Sequence, residues 1–278
     1  MVLGLLEILS QPYVLKGLIG VVLASIISGI ISLIIRYTQT QFLAIESLHM
    51  ILAAASTGYL INLFYSYLIP DLIAYLIMII FVFLIAFLDY RRIEQNTSIA
   101  VVAFISATIS IFSSYELAIL SPVGPSVIYN ILFGSPFFLL DRDLMISGVV
   151  AFIIILVLIV FWARILLLAF DPEYFEFLKG SRKLFEYKIL IYSIIAISSV
   201  YLTRLVGAIA SHILLIAPSI TPFVRGFPMK IILLVISLIS IFSLLLSIVI
   251  NIPYGASLGI LAIIFYVIPN LVFRKSVL

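Results

Sequence analysis

The chain has 278 residues, of which 65% are hydrophobic and 10% charged, and its mean hydropathy is +1.39. No soluble domain of this size hides so much apolar surface, so the composition predicts one integral membrane domain spanning 1–278, with no separate soluble unit. The absence of cysteine excludes disulfides and thiolate metal ligands, and the net charge of +3 informs only through its placement along the chain.

The N-terminal "MVLGLLEILS" lacks the basic start and small-residue cleavage site of a signal peptide. From there the apolar runs are continuous and about twenty residues long, which favours helices over barrel strands and makes the fold class all-α, a polytopic helix bundle. Nine spans are expected, at 12–35, 42–68, 71–88, 98–119, 144–169, 188–204, 205–223, 229–250 and 256–273. The chain break near Arg204 separates the sixth from the seventh. With the N-terminus outside, eleven basic residues fall on the inner side (Arg36, Arg91, Arg92, Lys179, Arg182, Lys183, Lys188, Arg225, Lys230, Arg274, Lys275) and three on the outer (Lys16, Arg142, Arg204). Merging the sixth and seventh spans weakens this positive-inside bias.

In the second span, Glu46 and His49 stand three residues apart and share a helical face. An ionisable pair at membrane depth is a functional hypothesis by default. The small-residue run Ala53–Gly58 that follows allows close helix approach. Imidazole with carboxylate suits zinc, manganese or iron. The second histidine, His212, opens "HILLIAPSIT" much as His49 opens "HMILAAAST". With opposite chain directions, this is the echo of an inverted repeat. Counting along the helices places the two histidines roughly 10 Å apart in depth, as successive stations on a path more readily than as ligands to one ion.

Two loops follow from the same reading. Residues 120–143, apolar and with three prolines, are expected to lie against the outer face as a short helix or lid. Residues 171–188 are charged and inner. Asp171 can cap a short amphipathic helix, Pro172 suits its first position and Gly180 can end it. That helix lies on lipid or docks a cytoplasmic partner. No hydrolytic constellation, phosphate loop or "HExxH" is present, so the chain is expected to be no enzyme, and ATP-driven work would need another subunit.

The segment "VGAIASHILLIAPSIT", Val206 to Thr221, is similar to the V-G-x-L-L-v-x-A-L-L-I-x-P-A-A-T block of permease subunits of ABC importers for zinc, manganese and related metals, with Gly207 and Pro218 in place. "FDPEYFEFLKG" resembles their cytoplasmic F-D-P-E/D segment through Asp171, Pro172 and Glu173, with Phe175 for the usual alanine and the glycine, Gly180, one residue late. "ILFGS", Ile131 to Ser135, resembles their outer-loop L-F-G, and "IPYGASLGIL", with Pro253 and Gly255, resembles the start of their last helix. His49 matches the histidine of a D-x-x-x-H motif. The aspartate's place is held by Ile45, and the acid, Glu46, comes one residue later, a turn of about 100°. His212 stands where the family often has a small or apolar residue.

The resemblance implies a homodimeric permease in a cell membrane, with a divalent metal as cargo and no other cofactor. Its expected partners are two cytoplasmic ATPase subunits, an extracellular metal-binding protein, a second copy of the chain and lipid, but no nucleic acid. It makes 171–186 the coupling segment. An importer of metal chelates, a carrier or channel without ATPase subunits, and an intramembrane enzyme are the alternatives.

Overall fold

A computed structural model describes residues 11–134, 136–220 and 229–268. Among them all regular structure is helical: α1 (Pro12–Tyr37), α2 (Gln41–Phe64), α3 (Pro70–Tyr90), α4 (Gln95–Leu120), α5 (Gly124–Phe133), a 3₁₀ turn (Pro136–Phe138), α6 (Asp141–Phe170), α7 (Pro172–Lys179), α8 (Ser181–Val206), α9 (Ala208–Ile220), α10 (Met229–Ile250) and α11 (Tyr254–Ala262), which continues as a π-helix over Ile263–Val267. Every expected span meets a helix. Seven are long and apolar enough to cross a bilayer, and the chain is a multi-pass membrane protein. The other two, α9 and the α11–π segment, are shorter. At 1.5 Å per residue α9 runs about 20 Å, short of a hydrocarbon layer of about 30 Å. The expected extensions to 223 and 273, and Arg225, Arg274 and Lys275, lie outside the described residues.

Burial sorts the helices into an inner and an outer set. α1 and α8 bury 67% of their most apolar stretch inside the protein, and α6 only 22%. Thus α1 and α8 form the centre, and α6 turns Phe152, Ile159 and Val160 to lipid. α1 packs on α8, α9 and α10, while α2 packs on α3, α4 and α9. The inner helices carry many buried serines. Ser28, Ser32, Ser47, Ser106, Ser199 and Ser211 each return their hydroxyl to a carbonyl three or four residues back. A serine so satisfied is a small side chain that leaves no unpaired polar atom, and helices can approach closely over it.

The break in the third quarter of the chain falls at Gly207 (φ +89°), just past the last turn of α8, three residues beyond Arg204. Gly134, at the end of α5, also has positive φ (+61°), and the two glycines cross backbone on backbone. A Cβ on either would overlap the other's main chain. This crossing pins α5 and its loop onto the α8–α9 corner. The expected outer segment is thus a short helix lying against the bundle, with Gly124 and Ile131 buried and its other residues exposed or half-buried.

The inner stretch expected over 171–188 is divided. α7 ends at Gly180 (φ +82°), and α8 starts at Ser181. Arg182, Lys183 and Lys188 ride on the first turns of the long central helix, because nothing after Gly180 breaks helical phase.

Gly207→Ala is expected to lower stability by at least about 2 kcal/mol, since a left-handed residue acquires a Cβ and that Cβ meets backbone. Gly148→Ala, within α6 where a Cβ meets nothing within 4 Å, is expected to be neutral or stabilising by about 0.5–1 kcal/mol. Thermal unfolding of the two purified variants in one detergent checks the contrast.

Candidate functional site

Glu46 and His49 lie on one face of α2, as their spacing predicts. The His49 Nε2 stands 4.0 Å from Glu46 Oε2. Both border a shallow cleft of about 260 Å³ against α4, walled by Phe42, Ala100, Ala103, Phe104 and Ala107. The alanines matter, because their small side chains leave the space that the two polar groups occupy. The His49 side chain is 49% exposed and that of Glu46 20%, so the pair opens toward the outside of the chain.

His212 reaches the same helix from the other side. Its ring faces the backbone of Ala44, close enough to His49 for the two to act on each other electrostatically. Ala44 belongs to the buried flank of α2, with Leu43, Ser47 and Met50. The His212 Nδ1 is buried without a hydrogen-bond partner. Among the described residues no three His, Cys, Asp or Glu side chains converge as one metal-binding group. The structure thus brings Glu46 and His49 together and sets His212 behind them, across the helix.

At the opposite end of α8, α7 is built as its residues foretell. Asp171 accepts a hydrogen bond from the Tyr174 N–H at 2.8 Å, and Pro172 holds the first helical position. Phe175 is the buried anchor, its ring 5.3 Å from that of Tyr187, whose hydroxyl accepts from Arg164. Glu176 lies 3.6 Å from Arg92, just past the end of α3. Lys188 pairs with Asp89 at 2.8 Å, and the Tyr192 hydroxyl donates to the same carboxylate. α7 is therefore tied to α3 and α8 together. Its outward face shows Glu173, Tyr174, Phe177 and Leu178.

The remaining residues singled out by resemblance lie in helices and at their ends. Pro218 is buried inside α9, Pro253 caps α11, and Gly255 lies where a Cβ would come within 3.6 Å of the Ala210 backbone. A cluster that sequence reasoning missed stands at the Arg204 end. Arg204 donates to Asp143 at 2.6 Å and to Asp71, tying the starts of α3 and α6 to the last turn of α8. These aspartates are 133 and 61 residues away in sequence, so only their positions in helix first turns offered a hint.

The chain matches the ABC 3 transport family over residues 10–273. It is 24% identical over 198 residues to the manganese import system permease protein ScaB of Streptococcus gordonii, covering 69% of this chain and 70% of that one. It is 23% identical over 222 residues to a Thermotoga maritima protein described as a probable metal transport system membrane protein, covering 79% and 74%. Its fold superposes on a chain of the PsaBC–Fab complex from Streptococcus pneumoniae with a TM-score of 0.79 at 18% identity, covering 99% of this chain and 97% of that one. With the family match running along nearly its whole length, this chain belongs to the ABC 3 transport family.

Proposed function

We propose that this chain is the membrane-spanning permease subunit of an ATP-binding cassette importer for divalent metal ions. The observation that carries the reading is the Glu46–His49 pair, held in an open cleft on a transmembrane helix. A carboxylate and a neutral imidazole are ligands for manganese, iron or zinc, and they are costly to keep at membrane depth without such a use. The pair is half a site, turned outward. A second copy of the chain, facing it across α2 and α4, completes a pathway between two permeases. A small cleft lined by two donors suits a bare ion better than a chelate. The manganese and metal transport relatives support the same cargo class.

Sidedness follows from charge. Arg36, Arg91, Arg92, Lys179, Arg182, Lys183 and Lys188 gather at the α7 end, and Lys16, Arg142 and Arg204 at the other. The α7 end is cytoplasmic by the positive-inside rule. There the exposed Tyr174, Phe177 and Leu178, with Glu173, form the surface that an ATPase subunit grips. ATP hydrolysis belongs to that subunit. Its motion reaches the bundle through Glu176–Arg92 and Lys188–Asp89, which join α7 and α8 to the end of α3. An extracellular metal-binding protein delivers the ion at the opposite face.

His49→Ala is expected to lower manganese uptake at least about tenfold, since even an outer-shell partner of a metal ligand is worth about 10–100-fold. Uptake of radiolabelled manganese into proteoliposomes holding the whole complex measures this, with co-purification of the ATPase subunit unchanged. Equal loss of uptake and of assembly would assign His49 a folding role instead. Glu173→Lys is expected to abolish uptake in a folded permease. Normal uptake in that variant would remove α7 from the coupling path.

A further inference from the structure

We propose that the groove between α6 and α8 binds the phosphate of an anionic phospholipid from the inner leaflet, held by Arg164 and Tyr187. Only the choice of leaflet rests on the sidedness proposed above; the site itself does not.

Arg164 is an exposed guanidinium on α6, the span that buries least of itself in the protein. What it is exposed to follows from depth. α6 has 30 residues, about 45 Å at 1.5 Å per residue, against a hydrocarbon layer of about 30 Å. Centred on that layer, it overhangs by about 7 Å at each end. Arg164 lies six residues before the end at Phe170, about 9 Å in, so its Cα stands at the boundary between hydrocarbon and headgroups. Val160 and Leu156, one and two turns toward the bilayer centre on the same face, are 61% and 48% exposed. A charged group at headgroup depth above an apolar row is the shape of a phospholipid turned inside out: phosphate at Arg164, acyl chain along Val160 and Leu156.

The donors at the boundary are not used up. A guanidinium has five N–H groups. One goes to the Tyr187 hydroxyl at 2.8 Å, and among the described residues no carboxylate pairs with Arg164. An arginine facing lipid without a counter-ion is costly. A phosphate supplies that counter-ion and accepts the planar fork through two oxygens. The Tyr187 hydroxyl accepts from Arg164, so its own proton is free for the same phosphate. Tyr187 lies six residues after the start of α8, at matching depth. Its ring is held by Phe161 and Phe175, with centroids at 6.1 and 5.3 Å, so the hydroxyl is in place before a lipid arrives. Because Phe175 is the anchor of α7, the bound lipid also braces the seat of that helix.

The rim selects the headgroup. Lys183 lies one turn before Tyr187 on the same face of α8, and it shares the Glu186 carboxylate with Arg182. With Arg164, three cations stand against one carboxylate. This surplus favours phosphatidylglycerol, whose headgroup adds no cation, over phosphatidylcholine, whose headgroup does.

The test counts phosphatidylglycerol bound to the purified full-length chain in mild detergent by native mass spectrometry, beside phosphatidylcholine. The wild-type chain is expected to prefer phosphatidylglycerol. Arg164→Gln is expected to weaken that binding at least about tenfold, as loss of a charge-assisted bond implies, and to leave phosphatidylcholine unchanged. Arg164→Lys keeps the charge without the fork and is expected to fall between the two. Tyr187→Phe keeps both ring contacts, loses only the hydroxyl, and is expected to weaken binding about threefold. No preference in the wild-type chain, unchanged binding in Arg164→Gln, or an equal fall for phosphatidylcholine would each overturn the site. Displacement of the lipid by inorganic phosphate would assign the groove to a free anion and overturn the lipid. If Arg164→Gln does not purify as a single species, Tyr187→Phe carries the test, and unchanged binding there overturns the site. Metal uptake is no part of the readout, so failure here leaves the importer reading standing.

Discussion

The crossing of Gly134 over Gly207 is the constraint on which the outer half of the molecule depends. Two stretches distant in sequence, the loop after α5 and the corner between α8 and α9, occupy one place, and both backbones are left-handed there. Neither chain can hold a side chain at the contact. The consequence reaches beyond the glycines. Arg204 sits one helical turn before the corner, and Asp143 lies in the first turn of the helix that follows the loop. The crossing thus fixes how far apart these two groups are, and the guanidinium then recruits Asp71 from α3. A backbone contact sets the register, and charge closes it.

The same economy governs α2, which serves two purposes on two flanks. The flank with Leu43, Ala44, Ser47, Met50 and Ile51 is buried. The flank with Glu46 and His49 meets Ala100, Ala103, Phe104 and Ala107 of α4 and then opens outward. A helix that were polar on both sides could not be held in a bilayer bundle, and one apolar on both could not handle an ion. Division by flank resolves this within the 3.6-residue period. His212 approaches from the buried flank. It is near enough to His49 to act on it by charge.

Local signals in the sequence were enough for much of this. The spacing of Glu46 and His49 alone places them on one face. Asp171, Pro172 and Gly180 alone delimit α7, since capping, ring geometry and left-handed backbone are properties of single residues. The break after α8 was legible only as a region. Charge bias favoured two segments near Arg204, whereas the hinge itself lies at Gly207, where a partner from residue 134 demands it. Depth counting separated the two histidines along the membrane normal but could not say which neighbour His212 faces, because rotation about α9 is set by packing. The Arg204 bridge escaped altogether. Its three members are ordinary charged residues, each near a helix end, and nothing local distinguishes a bridging guanidinium from one that faces water.

The two ends of α8 complete the physical picture. At one end Lys188 holds Asp89 of α3, and at the other Arg204 holds Asp71 of the same helix. α3 and α8 are therefore clamped antiparallel at both extremities, across the thickness of the bundle. The two ion pairs hold α3 and α8 in register at both ends. At the inner end α7 meets the foot of α3 through Glu176 and Arg92, beside the Lys188–Asp89 pair. One antiparallel helix pair thus carries an ion pair at each face of the bundle.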